Sequence, residues 1–553
     1  MLNGEGGAIA EEQRWVILFD RMDTTATTWL GMTMACAQCH NHKYDPLTLK
    51  DYYSLLEGFN RVPESGVPQR FSSRIRVAPP LIELPTPEND ARIAEFDKQI
   101  RDLEGPVKKL FDAAYEGWQA GITAESNQLS DETKGLLKKP ENERTDDEKK
   151  KLAADLRKAF DEKVRPGLQG KFPEAGSLDS LKKQLAEYKA DQIPRVMIMS
   201  DEKPRETFIL ERGEYLKPTA TKVSFATPEF LPPLPQDAPK NRLGFAQWLV
   251  SAEHPLTSRV QVNRIWQHFF GQGIIKTAED FGVQSEYPVH GALLDWLAVE
   301  FRTQGWSSKR LQREILLSST YRQSSRISAE AKERDPENKL FARAGRFRMP
   351  SMVLRDWALS ASGLIDKTIS GAPVYPYQPD AVWEALAITK ERDFTYPLST
   401  GKDLYRRSLY TFWRRTVQPA DMFDSSNRQT CRVRTSLTST PLHALTTLND
   451  PAWGEAARVL AERVMKQSAD SKQQLSQAFE LATCRKPNDK EIVMLQTALE
   501  RQRSFFKAGD EQVDQALKVG ASTPDATLPK TELAAMTQVC LAILNLDESL
   551  TRE

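Results

Sequence analysis

Two cysteines and two histidines fall within a short stretch near the start of the chain, Met34-Ala-Cys-Ala-Gln-Cys-His-Asn-His-Lys-Tyr-Asp-Pro46. Cys36, Cys39 and His40 stand at i, i+3 and i+4, so on a helical turn their side chains point the same way. Cys-x-x-Cys-His is the attachment signature of c-type haem: the two thiols capture the haem vinyl groups and the imidazole becomes an axial iron ligand. The spacing therefore predicts covalently bound haem c and a role in electron transfer.

Two other kinds of site remain open for the same residues. Zinc takes four ligands, and Cys36 and Cys39 with His40 or His42 supply three, with no second Cys-x-x-Cys to complete the set. The other alternative is a disulfide between the cysteines, although a thioredoxin-like pair needs a strand before it and a helix after it. The sixth iron ligand is also open, among His42, a distant His or Met, water and an empty position.

Composition excludes several classes of function. The 553 residues allow two to four domains, and the 76 basic and 76 acidic residues cancel, so the net charge attracts neither nucleic acid nor an acidic membrane. No apolar run is long enough to span a bilayer, and there is no Walker, Gly-x-Gly-x-x-Gly, His-Glu-x-x-His or Gly-x-Ser-x-Gly motif. The first residues lack the features of a secretory signal. Because haem is attached to this motif outside the cytoplasm, the haem prediction requires a preceding leader.

The elements around the cysteines are predicted to be helical, from residue 13 to 61. A helix begins after the motif, either with Pro46 at its first position or at Thr48, which is spaced from Asp51 as in a capping box. We expect this helix to pack over the motif and wall one side of its site through an apolar stripe of Leu49, Tyr52, Leu56 and Phe59.

A charged helical arm follows a proline-rich connector. Between Glu88 and Asp191 charge dominates, and an apolar heptad pattern ends at Gly105-Pro106, where we expect the helix to break. Thr145 and Glu148 form another capping-box pattern. This region predicts a helical hairpin or short coiled coil that acts as a spacer or docking arm and allows self-association.

The rest of the chain predicts a small β element and then a large helical domain. The runs Arg195-Val-Met-Ile-Met and Thr207-Phe-Ile-Leu form one strand cluster, and a stiff proline-rich linker follows. From Asn241 onward, apolar positions recur at helical spacing and predict a packed bundle. The fold class is therefore mainly α: a helical haem-motif segment, a charged helical hairpin or coiled coil, a small β element and a large C-terminal helical domain.

One polar cluster is predicted on an apolar helix of that last domain. Its members are Arg259, Asn263, Arg264 and His268. They either cap neighbouring helices from buried positions or face a ligand.

A second cluster contains arginines without a single lysine. It comprises Arg406, Arg407, Arg414, Arg415, Arg428, Arg432 and Arg434. Guanidinium groups bind carboxylate, sulfate or phosphate in a bidentate manner, and the nearby aromatic residues could stack on sugars, which suits an anionic polysaccharide. The alternative is a set of structural ion pairs.

Three stretches of sequence carry a family resemblance. They are Asp20-Arg-Met-Asp-Thr-Thr-Ala-Thr-Thr-Trp-Leu-Gly-Met-Thr followed by the motif, Pro255-Leu-Thr-Ser-Arg-Val-Gln-Val-Asn-Arg-Ile-Trp-Gln-His-Phe-Phe-Gly271, and Asp280-Phe-Gly-Val-Gln284. With them the chain resembles large secreted planctomycete proteins, in which a cytochrome c domain precedes two paired domains of unknown function.

The resemblance implies a periplasmic or extracellular protein. It also implies that this chain is a fragment without the signal peptide, the cytochrome c domain and the front of the first paired domain. The expected divisions are that first domain in 1–75, the helical arm in 88–192, the β element and linker in 193–232, and the second paired domain in 236–553. Because both paired domains are of unknown function, three hypotheses stay open: a haem protein with an unidentified redox partner, a polysaccharide-binding or -processing protein, and a zinc or disulfide module. Whether the chain is an enzyme stays open too.

Overall fold

A computed structural model describes residues 7–67, 69–70, 76–77, 79–201, 204–379, 382–383, 396–413, 417–419, 422–424, 433, 437–507 and 511–552. Over these residues the structure is mainly α-helical, and its strands pair only as two-stranded antiparallel ribbons, which confirms the predicted fold class. The chain forms two compact units, one of Asn3–Gly66 with Asp201–Glu553 and the other of Val67–Ser200.

The segment that carries the cysteines is built from two helices. Helix α1, Ala10–Thr25, runs on as a π-helical turn, Ala26–Leu30, which ends at Gly31 in the left-handed region (φ 60°). A β-carbon at Gly31 would lie 2.8 Å from Val260 Cγ2, so the chain can turn there only without a side chain.

Helix α2, Leu49–Asn60, follows the cysteines. Of the two predicted starts, the one at Thr48 is confirmed: its side chain accepts from Asp51 N, and the Asp51 carboxylate accepts from Thr48 N. The start at Pro46 is wrong. The predicted single stripe also understates the packing, because every residue from Asp51 to Asn60 is buried.

The unit Val67–Ser200 includes the residues predicted as the helical arm, 88–192. Its elements are β1 Gln69–Arg70, β2 Arg76–Val77, β3 Leu81–Glu83, α3 Pro87–Gly121, α4 Asp131–Lys138, α5 Asp146–Ala159, α6 Arg165–Gln169, α7 Pro173–Gln192 and β4 Arg195–Met197. The Thr145–Glu148 capping box is confirmed at the start of α5. The predicted break at Gly105-Pro106 is wrong, because α3 continues through Pro106. Val107 and Phe111 directly after it are buried against α7, and this packing outweighs the roughly 3 kcal/mol that an internal proline costs.

The two predicted strands do not form one cluster. Arg195–Met197 pairs with Leu81–Glu83, whereas Thr207–Leu210 (β5) pairs with Pro218–Val223 (β6) in the other unit. β4 therefore pairs with a strand at the other end of the arm, whereas β5 pairs with the next strand along the chain.

The region from residue 241 onward is a helical assembly, as predicted. Its elements are α8 Arg242–Leu249, α9 Thr257–Phe270, α10 Gly291–Thr303, α11 Ser308–Leu317, α12 Ala329–Arg334, β7 Phe347–Arg348, α13 Ser351–Ser362, α14 Pro441–Asn449, α15 Pro451–Gln467, α16 Ser471–Thr483, α17 Asp489–Phe505, α18 Glu511–Leu517, α19 Lys530–Leu544, α20 Asp547–Leu550 and β8 Thr551–Arg552. The largest apolar core lies among α13, α15, α16, α17 and α19. Within the described residues, no helix combines the length and the apolar character needed to cross a bilayer.

The N-terminal segment shares a core with the residues that follow the arm. Tyr52 and Leu56 of α2 are buried with Leu210 of β5 and Trp248 of α8. Backbone bonds add to this core, since Phe281 N donates to Gly31 O at 2.6 Å. The fold thus holds the cysteine segment firmly on the C-terminal region of the same unit.

Candidate functional site

The cysteine motif occupies a single turn of 3-10 helix. The turn spans Ala35–Gln38, and Cys39 N lies 3.5 Å from Cys36 O. Cys36 lies within this turn, and Cys39 caps its end. Cys36, Cys39 and His40 are all exposed, and both thiols are free. The predicted helical turn is therefore present but ends at Gln38, before Cys39 and His40.

His40 is in the tautomer required of a metal ligand. Its Nδ1 lies 2.7 Å from the carbonyl oxygen of Asn41, and a carbonyl only accepts, so Nδ1 carries the proton. The lone pair of the neutral ring is then on Nε2, and a backbone carbonyl is the usual partner that orients an iron- or zinc-bound imidazole.

His42 has the opposite arrangement. Its Nδ1 accepts from Asp45 N at 2.9 Å, so the proton of the ring is on Nε2. Its side chain is only 4% exposed. Of the two predicted metal-binding histidines, the hydrogen bonds thus favour His40 and give His42 a role in closing the loop.

The loop after the motif is bound to α2. Asn41 Oδ1 accepts from Leu49 N at 2.8 Å at the start of the helix, and Tyr53 Oη donates to Gln38 O at 2.9 Å. Burial raises the pKa of the Tyr53 hydroxyl, which keeps it a donor. The helix therefore holds the residues on either side of Cys39 and His40.

A turn between β5 and β6 packs against the second cysteine. Cys39 Sγ lies 3.2 Å from Arg212 O, and Arg212 itself has a left-handed backbone (φ 49°). A β-carbon at Gly213 would be 2.8 Å from Gln38 Nε2 and 3.1 Å from Cys39 Sγ. Sequence analysis missed this contact, because the turn lies 173 residues from Cys39 along the chain.

The donor types of the motif suit the predicted attachment of haem c. Covalent haem needs two accessible thiols and one imidazole with an unprotonated Nε2, and Cys36, Cys39 and His40 provide these. A protein-bound zinc ion needs several converging ligands, and in the part of the chain that the structure describes no three His, Cys, Asp or Glu side chains are placed to share a metal ion.

A cleft of about 310 Å³ opens beside the loop that follows the motif. Its walls come from the cysteine segment, the linker before α8 and the loops that flank α9: Met32, Asp45, Pro46, Phe230, Leu231, Leu256, Phe281, Gly282 and Val283. The two sulfurs and the His40 ring are not among these residues. Sequence analysis missed this cleft, because its walls come from stretches far apart in the chain.

Most members of the predicted polar cluster of α9 bind groups inside the protein. Asn263 is fully buried and pairs with both backbone groups of Ile275, at 2.8 and 2.9 Å. Arg264 Nη2 donates to Thr27 O, and burial lowers the pKa of its guanidinium.

The other two members lie elsewhere on the helix. Arg259 pairs with Asp295 at 2.6 Å, and His268 is exposed. Three of the four members therefore have partners inside the protein.

The described part of the predicted arginine cluster is also bound internally. Arg406 is buried and donates to the carbonyl oxygens of Thr368, Ser370 and Ala372. Arg407 is exposed, and its Nε lies 3.5 Å from Asp356 Oδ2. The remaining members, Arg414, Arg415, Arg428, Arg432 and Arg434, lie outside the described residues.

Comparison with known families gives the class of the protein. Residues 1–64 match the family PSCyt2, described as a protein of unknown function (DUF1549). Residues 241–499 match PSD1, also a protein of unknown function (DUF1553). These two matches confirm the predicted resemblance to the paired domains of unknown function. No curated protein and no solved structure matches it.

Proposed function

We propose that this chain is a c-type haem protein of the periplasm or extracellular space, with a role in electron transfer. Cys36 and Cys39 would hold the haem through thioether bonds, and His40 would bind its iron. The observation that carries the proposal is the hydrogen bond from His40 Nδ1 to Asn41 O, which leaves Nε2 free for a metal.

Each residue of the motif has a defined task in this proposal. The exposed thiols accept the vinyl groups, and the Asn41 carbonyl orients the imidazole and increases its basicity as a ligand. When bound, haem supplies the one-electron chemistry of its iron. Because Cys36, Cys39 and His40 are all exposed, a redox partner can reach the site without any opening of the fold.

The test is maturation of the full chain in a bacterial periplasm that attaches haem to a reference cytochrome. We expect a pyridine haemochrome spectrum and a mass increase of one haem that survives denaturation. Cys36→Ala and Cys39→Ala should each abolish the fully attached form. His40→Ala should alter the spectrum of any attached haem, because it removes the axial ligand.

The matched control is Cys484→Ser, which removes another exposed free thiol and should leave attachment unchanged. His42→Gln is a second control and should also retain the haem, because the ring of His42 serves the loop. A colourless, unmodified chain from cells that mature the reference cytochrome would refute the proposal.

A further inference from the structure

The cleft beside the cysteine loop has the size and composition of a small-molecule site. Its volume of about 310 Å³ falls at the lower end of the range of ligand pockets. Phe230, Phe281 and Met32 contribute apolar walls, and Asp45 is the one charged residue among those that line it. An apolar cleft with a single convergent charge is selective for a ligand of the opposite charge.

The Asp45 carboxylate is held rigidly in this wall. Its Oδ1 accepts from Val283 N at 2.9 Å. A β-carbon at Gly282 would lie 2.5 Å from both carboxylate oxygens, so the glycine allows the carboxylate to lie against the backbone. The Asp45 side chain is only 4% exposed, and its position is therefore fixed before any ligand binds.

His42 is the basic side chain beside Asp45. Its Nδ1 lies 3.4 Å from Asp45 Oδ2 and 2.9 Å from Asp45 N, so it also contacts the backbone of the loop. Among the described residues, no lysine or arginine forms an ion pair with Asp45. A cation bound in the cleft would therefore face a buried carboxylate that no described lysine or arginine pairs with.

We propose that this cleft binds an organic cation, an ammonium or guanidinium group on a small apolar body. The cation pairs with Asp45, and the rings of Phe230 and Phe281 add apolar contact and attraction between cation and aromatic face. This site is independent of haem, since neither sulfur and no part of His40 lines the cleft.

The experiment measures binding of matched probes to the full chain without haem, by titration calorimetry or ligand-observed NMR. We expect benzylammonium to bind at least tenfold more tightly than benzyl alcohol, which has the same ring and no charge. Asp45→Asn keeps an oxygen for Val283 N and should remove most of that preference. Asp514→Asn, at an exposed carboxylate of α18, is the control and should leave the preference unchanged.

A second variant keeps the test decisive if Asp45→Asn fails to fold. Val283 is 70% exposed and contacts Asp45 through its backbone, so Val283→Lys places a competing cation at the cleft without removing that bond. It should also abolish the preference for benzylammonium.

An N-acetyl-lysine amide is a further probe. If it binds more tightly than benzylammonium, the result would support the cation site and identify a lysine side chain of a protein as the ligand that supplies the cation. Equal binding of the charged and neutral probes, or no binding of either at millimolar concentration, would overturn the proposal.

Discussion

Asp23 is a buried acid on α1, close to the cysteine segment. Its Oδ1 and the Tyr52 hydroxyl are both buried without an ordinary hydrogen-bond partner, and each affects the pKa of the other. Burial, and secondarily the charge of Asp20, raises the pKa of Asp23 to about 7. The acid is therefore protonated in the folded protein over a pH range in which it is ionised in the unfolded chain.

This difference predicts a pH-dependent stability term. The contribution of Asp23 is fully present below its unfolded pKa near 4 and is lost as the pH rises through about 7. Asp23→Asn removes the titration, so its free energy of unfolding relative to the natural chain should rise by up to about 4 kcal/mol between pH 4 and pH 8. Urea denaturation of both chains at the two pH values measures this double difference.

The double difference is needed because His254 has the opposite effect. Burial lowers the pKa of His254 to about 4, so its contribution is present above its unfolded pKa near 6.5 and is lost as the pH falls through 4. The exposed carboxylate variant Asp514→Asn should show no comparable change. A double difference near zero for Asp23→Asn would show that folding does not raise the pKa of this acid.

At the residue scale the motif predicted His40 as the axial iron ligand but left open whether His42 also binds a metal. Their spacing allows either ring to face a metal. The choice depends on Asp45 N, which reaches His42 Nδ1 only because the loop closes on itself. Periodicity and motif carry no information on such a closure.

At the scale of elements, the turn between β5 and β6 controls the surroundings of Cys39. Gly213 has φ 75°, which costs an alanine about 1 kcal/mol, and a β-carbon there would also press on Gln38 and Cys39. We expect Gly213→Ala to push the turn away and break the contact between Cys39 Sγ and Arg212 O. Iodoacetamide labelling followed by peptide mass spectrometry should then show faster alkylation of Cys39 relative to Cys36.

Gly305→Ala is the matched control for this change. Gly305 has φ 70°, and nothing lies within 4 Å of its added β-carbon, so it carries the backbone cost alone. Gly213→Ala should lower the free energy of unfolding by about 1 kcal/mol more than Gly305→Ala. An unchanged ratio of the two alkylation rates would show that the turn does not control the thiol.

Local signals predicted most elements well, and long-range packing explains the failures. The capping boxes at Thr48 and Thr145 involve neighbouring residues, and both are confirmed. Pro106 is a strong local signal for a break, yet packing of α3 on α7 overrides it. The pairing of β3 with β4 spans the whole arm, so no local pattern could reveal it.

At the scale of the whole molecule, the sequence predicted a charged arm between two regions but not that those regions share one core. The joining contacts involve residues far apart in the chain, such as Gln261 Nε2 donating to Thr28 O, and Asn60 Nδ2 donating to Thr207 Oγ1. Helical periodicity does not show which distant segments of the chain pack together, so it could not predict these contacts. For the same reason the cleft at Asp45 could not be predicted.

The two units differ in the size of their cores, and this difference predicts two unfolding transitions. Among its described residues the arm is stabilised by two small clusters, one of which has three buried members, Leu129, Leu152 and Leu156. The cores of the other unit are much larger. Most residues of the arm are exposed or half-buried, so it buries less apolar area per residue and should unfold at the lower urea concentration.

Trp118 allows the arm to be observed by itself, because of the 11 tryptophans it alone lies between residues 67 and 200. Its indole donates to Gln128 Oε1 at 2.8 Å and packs on Phe160, so unfolding of the arm should change its emission. The fluorescence difference between the natural chain and Trp118→Phe should follow the transition at the lower urea concentration. Trp296→Phe, at a 56% exposed tryptophan of α10, should alter only the later one. A single transition that coincides for both differences would mean that the two units unfold as one.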